Sequence, residues 1–342
     1  MLRHHARACA AAVFACLPTC AGIVEADVLV ANFGGFTPVV RRYSETDGSY
    51  LNTSFNFGPE AFADLQLGPD NRAYVAVNGL NLGKIARFDW TTGAYLGDLV
   101  PFGQNGYQQP GGFAFGADGN VYAASRDFSG GTSGVLRFNG TSGAFGGVFV
   151  APGSGGLGAP FDVVFMPGGG DMLVSDMQRI NRYNKTTGAF ISTLIAPGTG
   201  GIGNISLTTY GPDGNLYLFD STHNVIDRFN GATGAFLGTF IGSGDLISRA
   251  NGMAFGNDGN LYVSQGFNAN SEVRRYNGTT GALLGTFIAH DGVNLPDPTG
   301  IVFTPEPGVA TSSVVCTCAV LIRRTGRARK ERRKRSRGYV VT

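Results

Sequence analysis

The chain has 342 residues, among them 54 Gly, 25 Phe, 12 Tyr and one Trp, and only 15% are charged. So much Gly without a period of three excludes a collagen-like chain, and the aromatic content excludes a disordered Gly-rich one. The formal net charge of +2 is uneven: residues 323–342 carry ten Lys or Arg and one Glu (+9), residues 1–26 carry Arg3, Arg7 and Glu25 (+1), and the body between them therefore carries −8. An acidic body does not suit a nucleic-acid binder, whose basic residues gather on the folded domain.

Residues 1–26 read as a secretory signal peptide. Arg3, His4, His5 and Arg7 make a polar start, ACAAAVFACLP at 8–18 is a short apolar stretch, and Val24-Glu25-Ala26 offers small residues for cleavage before Asp27. Signal peptidase is then the first partner. All five cysteines (Cys9, Cys16, Cys20, Cys316 and Cys318) lie outside 27–307, so the body is expected to fold without a disulfide.

From residue 27 onward the chain repeats. Arg, an aromatic residue and a Gly five positions after the aromatic recur at RYSETDGSY (Arg42), RFDWTTGAY (Arg87), RFNGTSGAF (Arg137), RYNKTTGAF (Arg182), RFNGATGAF (Arg228) and RYNGTTGAL (Arg275), spaced 45, 50, 45, 46 and 47 residues. A second phrase precedes five of them: GPDNRAY at 68–74, GADGNVY at 116–122, GPDGNLY at 211–217, GNDGNLY at 256–262 and the degraded MPGGGDMLV at 166–174. Asp-Gly-Asn between apolar runs is a hairpin turn that needs positive φ. Asp70, Asp118, Asp213 and Asp258 are accordingly turn residues that bond their own backbone, and carry no metal. The last run of a unit, such as GAFLGTFI at 234–241, is apolar on both alternating sets, which predicts burial on both faces.

Each unit holds four strands, placed in the fourth complete unit at about 205–210, 215–219, 225–230 and 235–241. Four strands per 40–50 residues predict an all-β, six-bladed β-propeller spanning 27–304, with four-stranded antiparallel blades. DVLVANF at 27–33 matches a second strand without its first, and TGIVFT at 299–304 matches a first strand without the rest. Pairing the two closes the ring and removes two sheet edges.

YLFDSTHNVIDRF at 217–229 and, more loosely, LVSDMQRINRY at 173–183 resemble NHL repeats. Asn251-Gly252-Met253-Ala254-Phe255 resembles the Asn-Gly segment that supplies a metal ligand in regucalcin-like, gluconolactonase-type propellers. These resemblances imply a propeller whose ligand sits at the channel mouth. The positions leading into first strands hold Glu60, Asp64, Asp162, Asn204, Asn251 and Thr299; those leaving second strands hold Asn32, Asp176, Asp220 and Gln265. The candidate ligand-binding set is Asp64, Asp162, Asn204, Asn251, Asp176 and Asp220. If these oxygens converge, Ca²⁺ is the cation they suit, with Asn251 and Asp162 as its first ligands; if they do not, they are loop polarity and strand caps. No Gly-x-Ser-x-Gly elbow, phosphate loop or thiol nucleophile occurs in the body, and His223 and His290 lack metal-site spacing, so no catalytic residue is assigned.

Residues 305–342 read as a second address. Pro305-Glu306-Pro307 is followed by an uncharged stretch, Gly308 to Ile322, and then by RRTGRARKERRKRSR at 323–337. This order resembles the PEP-CTERM sorting signal of Gram-negative bacteria that make exopolysaccharide. It implies an exosortase as a partner, a transient hold on the inner membrane, and delivery to the cell surface or outside it. The expected function is that of an exported binding module for glycan or protein in the exopolysaccharide layer. The rival expectation is a Ca²⁺-dependent lactonase, hydrolase or lyase acting at the channel mouth.

Overall fold

The computed structural model of the protein describes residues 26–32, 38–58, 60–126, 133–246, 250–266, 270–291 and 293–305. Residues 1–25 lie outside the described residues, as do 306–342, which hold Glu306, Pro307 and the apolar and basic segments of the tail.

Twenty-four strands form six antiparallel sheets of four. The first blade comprises β1 (Asp27–Asn32), β2 (Val39–Ser44) and β3 (Tyr50–Asn56), completed by β24 (Pro298–Phe303). The second is β4 (Ala61–Leu67), β5 (Ala73–Gly79), β6 (Leu82–Phe88) and β7 (Tyr95–Val100), and the third β8 (Pro110–Phe115), β9 (Asn120–Ser125), β10 (Gly134–Asn139) and β11 (Phe145–Val150). The fourth is β12 (Pro160–Phe165), β13 (Met172–Asp176), β14 (Arg179–Tyr183) and β15 (Phe190–Ile195), and the fifth β16 (Ile205–Tyr210), β17 (Leu216–Asp220), β18 (Val225–Phe229) and β19 (Phe236–Ile241). The sixth is β20 (Ala250–Phe255), β21 (Leu261–Gln265), β22 (Glu272–Tyr276) and β23 (Leu283–Ile288). The protein is a six-bladed β-propeller, with the strands of the fifth blade within one residue of their predicted bounds.

The ring closes as the two chain ends require. β24 pairs antiparallel with β1, from Val28 opposite Phe303 to Asn32 opposite Pro298. The Asp27 amide donates to the Thr304 hydroxyl at 2.7 Å, the Thr304 amide donates to the Asp27 carbonyl at 2.8 Å, and Arg42 pairs with the Asp27 carboxylate at 2.5 Å. One hydrophobic cluster fills each of the six gaps between neighbouring blades, so the core is a ring of wedges and not a single centre. Between the first two blades, for example, Leu29, Val40 and Phe55 meet Val75, Val77 and Phe88, with the Phe55 and Phe88 rings stacked at 4.1 Å.

The repeated phrase has a double purpose. Its first Asn or Asp accepts from two amides in the turn, as Asn184 does from Thr186 and Thr187 at 3.0 Å each. Its Gly takes positive φ, which side chains with a Cβ resist, and also touches the neighbouring blade: a Cβ on Gly188 (φ 70°) would lie 1.9 Å from the Phe149 carbonyl oxygen. Gly48 repeats this contact across the closure, against the Phe287 carbonyl. The turn carboxylates behave as expected too. Asp118, for instance, accepts from the Asn120 amide at 3.1 Å and from the Tyr122 hydroxyl at 2.8 Å.

Two expectations are corrected. The last strand of each unit is not buried on both faces. It is the outer edge of its blade, and Phe236 and Leu237 are 38% and 44% exposed while Ile241 is buried, because among the described residues no further sheet covers this edge. The glycine-rich joints APGSGGLGAP at 151–160 and APGTGGIGNI at 196–205, whose sequence by itself reads as flexible linkers between blades, are not loose. Each winds through a short 3-10 turn, Ser154–Gly156 or Thr199–Gly201, and buries Leu157 or Ile202.

Candidate functional site at the channel mouth

The innermost strand of every blade carries an irregularity near its start. Pairing skips Ala63 in β4, Phe161 in β12, Ser206 in β16, Asn251 in β20 and Thr299 in β24, and in β8 it skips Gly111 and Gly112 together. A bulge turns the extra residue out of the ladder. Here Ala63, Gly111, Phe161, Ser206, Asn251 and Thr299 all line one cavity of about 540 Å³ at the mouth of the channel. The next residue inward in each strand is Asp64, Gly112, Asp162, Leu207, Gly252 or Gly300; all but Gly112 line a narrower cavity of about 240 Å³ below the mouth.

The structure sorts the six candidate ligand residues into two groups. Asn251 is in the mouth ring, its amide nitrogen 3.3 Å from the Gly266 carbonyl. Asp64 and Asp162 lie one layer deeper, on either side of β8. The Asp64 carboxylate accepts from the Phe113 amide at 3.0 Å, from its neighbour Leu65 at 2.8 Å, and from the Gln66 side chain at 3.1 Å. Asp162 lies over Gly112, where a Cβ would be 2.0 Å from its oxygen; it accepts from the Val163 amide at 2.8 Å. Burial, followed by the nearby Asp64 charge, pushes the Asp162 carboxyl up to about 8, against the amides of Val163 and Thr208. Burial also raises Asp64, opposed by its three donors.

Asp176, Asp220 and Asn204 do something else. Asp176 accepts from the amides of Gly158 and Ala159 at 2.9 and 3.1 Å, and Asp220 from those of Gly203, Asn204 and Thr222 at 2.8, 3.0 and 2.9 Å. Each carboxylate therefore ties the glycine-rich joint to the end of a second strand. Burial pushes the Asp220 carboxyl up, but hydrogen bonds from His223, Gly203, Asn204 and Thr222 outweigh it and hold the group below the usual range. Asn204 belongs to the same knot, its carbonyl accepting from the Ser221 amide at 2.8 Å.

The candidate oxygens lie at different levels: Asn251 at the mouth, Asp64 and Asp162 one layer deeper, and Asp176, Asp220 and Asn204 at the joints. Among the described residues no three His, Cys, Asp or Glu side chains are grouped to hold a metal ion. Beside Asp64 and Asp162, the deeper cavity is lined by Gln66, Thr208 and Thr209 and by the small or apolar Leu207, Gly252 and Gly300.

Sequence reasoning missed the cation at this mouth. Arg126, directly after β9, donates from Nε to the Gln109 carbonyl at 3.1 Å and from one Nη to the Pro110 carbonyl at 3.2 Å. Its guanidinium lies 4.5 Å above the Phe161 ring. Burial lowers its pKa, with Tyr107 opposing, and among the described residues no carboxylate pairs with it. The available signal was positional: Arg126 follows a second strand where the fourth, fifth and sixth blades have Met177, Ser221 and Gly266.

A larger cavity, of about 790 Å³, lies among the hairpin turns at the opposite end of the ring. Its polar groups are already engaged: Asp118 holds Asn120 and Tyr122, and the Lys185 ammonium donates to the Gly169 carbonyl. The mouth, with donors to spare, is the better ligand site.

No protein-family model and no curated protein sequence matches the chain. Solved structures do match, and they show the fold. The chain is similar to one in the crystal structure of a nidogen/laminin complex, with a TM-score of 0.62 at 16% identity over 82% of this chain and 99% of that one. It is also similar to a protein of unknown function from Bacteroides caccae, with a TM-score of 0.58 at 13% identity over 82% of this chain and all of that one.

Proposed function

We propose that the protein is an exported binding module that holds a glycan or protein partner of the extracellular layer at its channel mouth. In this reading signal peptidase removes residues 1–26, and an exosortase recognises Pro305-Glu306-Pro307 and the tail that follows. The observation that carries the binding role is the mouth cavity itself: a recess of about 540 Å³ built from six equivalent bulge residues, within the size range of ligand pockets. A propeller in a nidogen/laminin complex, similar only in fold, supports the idea that such a ring can serve in an assembly. The start of β1 at Asp27, directly after the proposed cleavage point, supports the signal-peptide reading.

The test has two arms. A tagged chain expressed in a Gram-negative host with an exosortase is expected at the surface or in the medium, and a variant lacking Pro305 to Pro307 is expected to stay with the inner membrane. The purified chain is expected to bind the host's own matrix, and an Asn251→Trp variant, which fills the mouth, to lose that binding. Retention in the cytoplasm overturns the export reading; matrix binding untouched by the mouth variant overturns the site.

A further inference from the structure

The chemistry of the mouth narrows the ligand, on the reading that the mouth is the binding site. A guanidinium has five N–H donors. In Arg126, Nε and one Nη hydrogen are taken by the carbonyls of Gln109 and Pro110, which leaves three donors without an acceptor among the described residues. A partly buried cation with neither a counter-charge nor full hydrogen bonding is unfavourable, the more so the less water reaches it. Two carbonyls and the face of Phe161 hold this one in place, so its free donors are pre-oriented, and among the described residues no carboxylate occupies them.

The rest of the wall is not that of an anion hole alone. Phe62 leans from the second blade onto the adjacent first blade to lie over Gly300, where a Cβ would be 2.5 Å from the ring, and with Phe161 it presents apolar faces to the cavity. Asn78, Asn251 and Thr299 put amide and hydroxyl groups around them, and the carboxylate of Asp297 lies on the wall of the first blade. Aromatic faces with neutral hydrogen-bonding groups suit a ring that has C–H on its faces and hydroxyls on its edge, and the half-buried Arg126 suits a carboxylate attached to that ring. Asp64 and Asp162 below would repel such a group if both were ionised. The upward-shifted Asp162 keeps its proton near neutrality, which lessens that opposition.

We infer that the channel mouth binds an acidic saccharide, a uronate unit seated with its carboxylate on the Arg126 guanidinium and its ring between Phe62 and Phe161.

The test is isothermal titration of the purified full chain with oligogalacturonate and with the same oligosaccharide methyl-esterified at its carboxyls, alongside a Glu/Asp-rich peptide of similar charge. The acidic sugar is expected to bind at least tenfold more tightly than the ester. Arg126→Gln is expected to weaken the acidic sugar tenfold to a hundredfold, the range of a charge-assisted bond, and to leave the ester unchanged. Arg126→Lys keeps the charge without the fork and is expected to fall between; an unchanged melting temperature in either variant shows that the ring is intact. Equal binding of acid and ester, both lost in Asn251→Trp, overturns the acidic inference and leaves the mouth as the site. Acidic binding unmoved by both Arg126 variants, or binding of the peptide in preference to either sugar, also overturns it. No binding of any probe, together with matrix capture untouched by Asn251→Trp, removes the mouth reading as well.

Discussion

Asp162→Asn should stabilise the protein, and increasingly so as the pH rises. The folded chain holds the Asp162 proton up to about 8, whereas the unfolded chain releases it near the ordinary 3.8. Between those values the folded state carries more protons than the unfolded state, so stability falls as the pH rises. The contribution is fully present below about pH 4, is lost through the window from 4 to 8, and does not return above it. Each unit of displacement corresponds to 1.36 kcal/mol, so complete burial would make the loss several kcal/mol. The side chain is only partly covered and opens on the channel, which reduces the loss to about 2 kcal/mol. Asn keeps the shape and an acceptor for the Val163 amide but never ionises. The variant and the parent should melt together near pH 4, and the variant about 4–8 °C higher at pH 8. Thermal unfolding followed by circular dichroism from pH 4 to 8.5 measures the two slopes. Parallel curves, or a variant less stable than the parent at pH 8, would refute the reasoning.

Three further outcomes follow from geometry. Gly188→Ala forces a Cβ to within 1.9 Å of the Phe149 carbonyl at φ 70°, whereas Gly119 (φ 78°) has nothing within 4 Å of its Cβ position; denaturant unfolding should show a loss of about 3 kcal/mol for the first and about 1 kcal/mol for Gly119→Ala. Asp220→Ala strands the amides of Gly203 and Asn204 and should lower stability by about 3 kcal/mol at neutral pH. Because the folded Asp220 titrates below its ordinary value, the parent's advantage should shrink as the pH falls through the carboxylate range, and an advantage that grows in acid would contradict the assignment. Thr304→Val removes the bond to the Asp27 amide at 2.7 Å and should lower the melting temperature by a few degrees; deleting 298–342 should unfold the ring outright by circular dichroism, while deleting only 306–342 should leave it intact.

The fold was open to reading because a propeller repeats its local chemistry. Positive φ at the Gly of the turn, Asp and Asn bonding their own backbone, and alternating apolar residues are properties of a few adjacent residues, and six copies multiply a weak signal. The half-units at 27–33 and 299–304 even specified which ends must meet. The sequence did not announce that Gly48, Gly188 and their equivalents also press against the next blade. Nor did it distinguish an outer edge from a buried strand: Phe236 and Leu237 read as core, yet lie on the rim, because apolarity records composition and not position in the ring.

The mouth was less legible. Asn251 was singled out on its own text, and Asp64 and Asp162 were placed one layer too far out, since a strand bulge leaves no mark in a single chain. Asp176 and Asp220 resembled converging ligands but hold loops. By itself the sequence determined the blade, the blade count and the order of closure, because each depends on contacts within about fifty residues or on matching ends. Only the tertiary structure decided which polar side chains share the channel. Arg126, Phe161, Asn251 and Thr299 come from four different blades, and their meeting depends on the radius of the closed ring and on the bulge in each inner strand, which no local stretch of residues encodes.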